Sequence, residues 1–271
     1  MFPQLFHIGS FSVPTYGVLV ALGVLVGLWI SVRNSERQGI KPESAWDFGI
    51  AVVLAGILGS KILYVVLDWR TGNAFGDNLR EIFSFATLQA GGVFSGGLIG
   101  AFIVAWWFLR KHQMPALATC DAFAPGLAVG HAIGRLGCFA AGCCFGKETH
   151  HFWGVTFTNS IANRNAGTPL NIPLEPTQLI ESAAELGIFI LLSWMFSRKK
   201  FDGQIFGAYL FLYGVARFLI EFLRGDPGRG GPYFGGALSG TQLISMGLVL
   251  AGGLIWYLRP APKVVVATAT R

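Results

Sequence analysis

Residues 16–32 read YGVLVALGVLVGLWISV, seventeen positions without a charged side chain, closed by Arg33. A helix needs about 20 mostly apolar residues to cross the hydrocarbon core of a bilayer, and this run with its flanks comes close. Six more stretches have the same character, from about Trp46 to Leu67, Gln89 to Leu109, Ala118 to Ile133, Pro176 to Phe196, Gln204 to Phe222 and Leu238 to Leu258. The fourth is short and contains Pro125. Composition agrees with the pattern. Hydrophobic residues make up 53% of the chain and charged residues 13%, with a mean hydropathy of +0.56, where a soluble domain carries about 25% charge. The sequence therefore predicts an all-α polytopic membrane protein of about seven transmembrane helices.

The charges follow the ends of these runs. Arg33, Arg37 and Lys41 follow the first span, Arg110 and Lys111 the third, Arg198, Lys199 and Lys200 the fifth, and Arg259, Lys263 and Arg271 the seventh. The alternate ends carry sparser cations, Arg70, Arg80, Arg135, Lys147, Arg164, Arg224 and Arg229, over longer connections. Dense Lys/Arg clusters mark the cytoplasmic side. The bias places the N-terminus outside and the C-terminus inside. Residues 1–271 read as a single integral membrane domain, with 134–173 an extracytoplasmic loop or small head between the fourth and fifth spans, and 260–271 a cytoplasmic tail. A net charge of +6 without a dense basic tract argues for membrane anchoring and against a nucleic-acid partner. The N-terminal MFPQLFHIGSFSVP has no basic stretch of the secretory type, so no cleaved targeting peptide is expected.

Glycines recur every fourth position at Gly92, Gly96 and Gly100, and again at Gly126, Gly130 and Gly134. Such spacing lines up on one helix face, where a neighbouring backbone can approach closely. No internal repeat of the transporter type is visible.

Charges inside the spans are more informative, since each costs at least about 2.5–3.5 kcal/mol at the centre of a bilayer. Tyr209, Tyr213, Arg217, Glu221 and Arg224 follow steps of four, four, four and three, which aligns them on one helical face. Arg217 and Glu221 can pair along the helix, and Arg217 with Arg224 can present planar donors to a phosphate. Gln178, Glu181 and Glu185 share a face of the fifth span, and Lys61 is a further intramembrane cation.

The segment after the fourth span reads HAIGRLGCFAAGCCFG from His131 to Gly146. Its glycines permit sharp turns, and Arg135 lies where a lipid phosphate would be met. Cys138, Cys143 and Cys144 can form a disulfide, pack as thiols or line a cavity. No C-x-x-C pair is present, and the Cys/His spacing matches no usual zinc site.

Taken together, several motifs resemble the prolipoprotein diacylglyceryl transferase family in the family's own order. They are Gly134-Arg135-Leu136-Gly137-Cys138-Phe139 through Gly146, Gln89 through Gly97, Pro176-Thr177-Gln178-Leu179-Ile180-Glu181, Leu212 through Asp226, and Ser245-Met246-Gly247. The chain departs from the family pattern at Cys138, where asparagine is usual, at Cys143, an acidic position, at Ser95, a histidine position, and at Ile180, a tyrosine position.

The resemblance implies a bacterial plasma-membrane enzyme. Its donor would be phosphatidylglycerol, and its acceptor the lipobox cysteine of a prolipoprotein signal peptide. The cysteine thiolate would attack the glyceryl carbon and expel glycerol phosphate. On the same basis Arg135, Arg217 and Tyr213 are catalytic candidates. Tyr16, Lys61, Ser95, Gly97, Cys138, Gly146, Gln178, Glu181, Glu221 and Arg224 are candidates to bind substrate, and His131 is a candidate proton acceptor. Neither a metal nor an organic cofactor is required by this chemistry. Two rival readings are a phospholipid-dependent transferase with another acceptor, and a transporter that uses the sixth-span charges as its pathway.

Overall fold

A computed structural model describes residues 2–8, 11–70, 93–226, 233 and 237–258. The order of elements is β1 (Gln4–Ile8), β2 (Phe11–Pro14), α1 (Thr15–Arg37), α2 (Pro42–Arg70), α3 (Phe94–Lys111), α4 (Ala116–Ala141), β3 (Val155–Thr156), α5 (Ser160–Ala166), β4 (Pro173–Leu174), α6 (Thr177–Phe196), α7 (Gln204–Ile220), a 3-10 turn (Glu221–Leu223) and α8 (Gly240–Leu258). Six of these helices are long and apolar enough to cross a membrane: α1, α2 to Leu67, α4, α6, α7 with its 3-10 turn, and α8. The chain is a multi-pass membrane protein, mostly helical among the described residues.

The stretch read as the third span contains α3, 18 residues from Phe94, which is not among those six helices; its expected start at 89–92, with Gly92, lies outside the described residues, as does the tail 260–271. The fourth corrects the sequence reading more deeply. Helix α4 runs 26 residues, through Pro125 and on to Ala141, so Gly134, Arg135, Gly137 and Cys138 are helical where the expected loop was to begin. Gly137 does not break the helix because its missing Cβ leaves room for Tyr16, whose Cδ2 would lie 3.3 Å from an added methyl. The first true turn comes at Gly142, with φ of 84°. The short antiparallel pair β1–β2, which joins His7 to Ser12 and Ile8 to Phe11, went unread in the sequence.

The chain divides into two compact units, residues 1–38 with 117–271, and residues 39–116. In the smaller, α2 and α3 meet through glycines. A Cβ on Gly96 would sit 2.4 Å from the Gly59 carbonyl oxygen, and one on Gly100 would sit 2.6 Å from that of Ala55. Phe48 and Phe108 pack edge to face at 5.7 Å.

The larger unit uses the same device. A Cβ on Gly27 would lie 2.7 Å from the Gly126 carbonyl oxygen, and one on Gly130 would lie 2.9 Å from that of Gly23, so α1 and α4 touch backbone to backbone. The spacing read in the sequence is thus a packing face at Gly96, Gly100, Gly126 and Gly130. Gly134 is the exception, with nothing within 4 Å of an added Cβ. The core of the unit joins Ala124 and Ala128 of α4, Ile188, Leu192 and Phe196 of α6, and Ile205 and Ala208 of α7.

One buried acid organises this core. Asp121 on α4 is fully buried and accepts from the backbone N–H groups of Gly203 (2.7 Å), Ile205 (2.9 Å) and Phe206 (2.8 Å). It satisfies the orphan donors that open α7. Lys199 Nζ pairs with Asp121 at 2.9 Å and with Asp202 at 2.8 Å. Between α4 and α6, residues 142–176 fold around Phe145, Phe157 and Leu174. There β3 pairs with β4, and Asn159 caps α5 through the Ile161 N–H.

Candidate active site

Four elements of the larger unit turn polar side chains toward one another. His131 and Arg135 stand one turn apart on α4, Gln178, Glu181 and Glu185 on α6, Tyr209, Tyr213 and Arg217 on α7, and Glu221 in the 3-10 turn. Glu181, Glu185 and Glu221 are buried, at 4% exposure or less, and Arg217 is 9% exposed. Burial on this scale demands partners.

The partners form one chain of charges. Glu185 Oε1 lies 2.8 Å from His131 Nδ1, and Arg135 Nε donates to His131 Nε2 at 3.2 Å. The imidazole is therefore clamped between an acid and a guanidinium. Arg135 Nη2 reaches Glu181 Oε1 at 2.8 Å, and Arg217 Nε approaches the same oxygen at 4.0 Å. Arg217 Nη1 pairs with Glu221 Oε2 at 2.9 Å, and Ser239 Oγ donates to Glu221 Oε1 at 2.9 Å. The Tyr213 ring meets His131 edge-on at 5.5 Å and stacks on Tyr209 at 5.8 Å. Arg135 Nη1 faces sulfur instead of oxygen, with Cys138 Sγ 4.0 Å away.

Arg224 departs from the arrangement expected. The helical face ends at Ile220, the chain tightens into the 3-10 turn, and Arg224 is extended at φ −69° and ψ 138°. The cause is a backbone seam with the loop after α4. Lys147 N–H donates to the Leu223 carbonyl at 2.8 Å, Gly225 N–H donates to that of Phe145 at 3.1 Å, and Gly146 pairs with Arg224. Gly146 is required there, because a Cβ would lie 2.5 Å from the Glu175 carbonyl oxygen. The Arg224 fork closes on Asp226, with both bonds at 2.7 Å. Burial, the largest single influence, would lower its pKa, but the Asp226 hydrogen bond and the charges of Cys144 and Asp226 together hold the guanidinium above its ordinary value.

The loop carrying Cys143 and Cys144 is pinned from α6. Gln178 Nε2 donates to the Cys143 carbonyl at 2.7 Å, and Thr177 Oγ1 to that of Cys144 at 2.8 Å. Hydrogen bonds from Cys138 and Cys143 pull the Cys144 thiol below the ordinary thiol range, and Arg224 and Arg135 add to this against burial. All four cysteines are free.

Of the residues singled out in the sequence, the fold gathers His131, Arg135, Gln178, Glu181, Tyr213, Arg217 and Glu221, with Cys138 beside Arg135 and Gly146 against Arg224. Tyr16 stands next to Gly137, with its side chain largely exposed. Lys61, Ser95 and Gly97 belong to the smaller unit. There Lys61 is half-buried on α2, Ser95 is exposed at the start of α3, and Gly97 faces Gly56. Sequence reasoning missed Ser239 and Asp226 as partners of the acid and the arginine. It noted His131 and Glu185 separately without pairing them, although the step of four from His131 to Arg135 was a signal that both point inward.

The model of a family described as prolipoprotein diacylglyceryl transferase matches residues 3–258. The chain is 33% identical over 252 residues to the phosphatidylglycerol–prolipoprotein diacylglyceryl transferase of Clostridium tetani, covering 93% of this chain and 95% of that one. It is 32% identical to phosphatidylglycerol–prolipoprotein diacylglyceryl transferase 2 of Clostridium perfringens, covering 93% and 92%. Against the phosphatidylglycerol–prolipoprotein diacylglyceryl transferase of Vibrio cholerae it is 31% identical over 256 residues, covering 93% and 89%.

Proposed function

The chain belongs to the prolipoprotein diacylglyceryl transferase family, and from that premise we propose that it transfers the diacylglyceryl group of phosphatidylglycerol to the lipobox cysteine thiol of prolipoproteins. Glycerol phosphate is released, and the product thioether is the first step of lipoprotein maturation. The observation that carries the assignment of roles is the meeting of Arg135 and Arg217, from separate helices, on the single oxygen Glu181 Oε1, at 2.8 and 4.0 Å. Two guanidinium groups that reach one oxyanion can reach a phosphate oxygen from the same positions.

The acceptor reacts as its thiolate. A free thiol has a pKa near 8.5, so a fraction ionises without a dedicated strong base. The thiolate sulfur forms a bond to the glyceryl carbon, the carbon–oxygen bond to phosphate breaks, and the departing oxygen keeps the electron pair. Arg135 and Arg217 stabilise that charge, each by about 3–4 kcal/mol if they act as preorganised donors. Glu181 and Glu221 hold the guanidinium planes, and Glu185 fixes His131. His131 is the candidate proton acceptor, with Tyr213 against its ring. Arg224, Gln178, Cys138 and Gly146 shape the same region through the loop seam. Tyr16, Lys61, Ser95 and Gly97 stay substrate-binding candidates on the family resemblance alone.

For the membrane, the proposal is a single integral domain of seven crossings, with α3 as the seventh. The N-terminus and the head, which begins only after Ala141 within the stretch read as 134–173, are extracytoplasmic, and the tail at 260–271 is cytoplasmic, in a bacterial plasma membrane. Basic ends stacked on tryptophan support placing these helix ends at a membrane–water interface. Arg33 lies over Trp29 at 4.3 Å, Lys111 over Trp107 at 4.6 Å, and Arg198 over Trp194 at 4.5 Å. All three pairs are at the ends assigned to the cytoplasm, where snorkelling cations and aromatic belts are expected.

The test is direct. Purified protein is mixed with phosphatidylglycerol vesicles and a lipobox peptide, and the mass of the peptide is read. The expected result is a peptide heavier by one diacylglyceryl group. A peptide of unchanged mass, with a lipobox Cys→Ser peptide behaving identically, overturns the reading.

A further inference from the structure

We propose that Cys138, Cys143 and Cys144 form a binding site for a thiophilic divalent cation of the zinc and cadmium class, with one coordination position left open. Among the described residues they are the group of three His, Cys, Asp or Glu side chains placed to hold a metal, and their sulfurs all lie within 4.8 Å of one another. Zinc binds thiolate sulfur at about 2.3 Å, so three thiolates around one ion stand about 3.8–4.0 Å apart. The cluster needs to contract by less than about 1 Å, which side-chain torsions supply.

The backbone is built to present these sulfurs. Cys144 has φ of 60°, a left-handed conformation that a non-glycine residue adopts only when its surroundings hold it there. Thr177 and Gln178 do so by gripping the carbonyls of Cys144 and Cys143. On the other side the Gly142 N–H donates to the Cys138 carbonyl at 2.9 Å. Two ligands thus come from a pinned loop and the third from the last turn of α4. Cys138 is buried, and Cys143 and Cys144 are half-buried, so an ion has access from one side.

Charge favours occupancy. Three thiolates around a divalent ion leave a net charge of minus one, and Arg135 Nη1 stands 4.0 Å from Cys138 Sγ as its counter-charge. Binding releases the thiol protons to solvent and changes no oxidation state. The site shares Cys138 and the neighbouring Arg135 with the lipid transfer proposed above, whose chemistry needs no metal.

The test uses the reduced, purified full chain in detergent, titrated with Cd2+ while thiolate-to-cadmium charge-transfer absorption is followed in the ultraviolet. One equivalent per chain is expected, with prebound Zn2+ displaced by Cd2+, the softer ion. Cys138→Ser and Cys144→Ser should each weaken binding by more than about tenfold, the least that loss of a metal-site partner produces, while Cys120→Ser leaves it unchanged. In the unsubstituted chain, Zn2+ should shield three of the four thiols from alkylation, a readout that no variant's folding can confuse. The proposal is overturned by absence of the absorption, by its survival in Cys144→Ser, or by alkylation that Zn2+ does not slow. It is equally overturned if the unreduced chain is lighter by two hydrogens because two of the three cysteines are already bridged.

Discussion

The shared oxygen of Glu181 decides how the polar interior works. Each arginine there is held by a carboxylate, so the polar interior is a neutralised network instead of a bare cationic pocket. Removing one member leaves an uncompensated buried charge, which costs about 3–5 kcal/mol. Glu181→Leu should therefore lower stability by that amount in detergent unfolding, because Arg135 loses its acceptor and Arg217 a second counter-charge. A variant as stable as the parent would show that the two guanidiniums do not depend on it. Arg224 gives a different expectation, since its fork is already closed on Asp226. Asp226→Asn should weaken the seam between the loop after α4 and the end of α7, raising the KM for lipid more than it lowers kcat. The reverse pattern would place Arg224 at the reacting phosphate itself. The pairing of Arg217 with Glu221 was legible from their spacing. That of Arg224 with Asp226 was not, because the turn of Glu221–Leu223 is set by backbone bonds to residues 145–147, far away in the chain.

At the scale of elements, the helices are held by two devices of different legibility. Glycines four apart announced a close-packed face, and the fold places Gly96, Gly100, Gly126 and Gly130 in such faces. Gly27→Leu should abolish assembly of the unit containing α1 and α4, judged by size-exclusion of the detergent-solubilised protein, because the new side chain meets the Gly126 backbone. Gly253→Ala, where nothing lies within 4 Å of the added carbon, should be tolerated. Similar behaviour of the two would contradict the packing account. Asp121 is the second device. An aspartate within an apolar run carries no local sign of which helix it caps, since its partners lie more than eighty residues on. Asp121→Ala should destabilise by at least about 2 kcal/mol, combining a lost cap with a disturbed Lys199. The length of α4 escaped for a related reason. Gly137 resembles a helix breaker until Tyr16 is seen packed against it, whereas Gly134 has no such neighbour.

For the molecule as a whole, long apolar runs with basic ends and a few charges inside them were plain from the sequence. What remained hidden was which charges share a partner, as this depends on how α4, α6 and α7 are packed. The central claim is that Arg135 and Arg217 jointly stabilise the phosphate leaving the glyceryl carbon. It is tested most directly by single-turnover transfer from labelled phosphatidylglycerol to a lipobox peptide, comparing the parent with Arg135→Ala and Arg217→Ala variants shown to assemble. Each variant should transfer at least about a hundredfold more slowly, the effect of losing one preorganised donor to developing charge. Full transfer rates in both assembled variants would contradict the account.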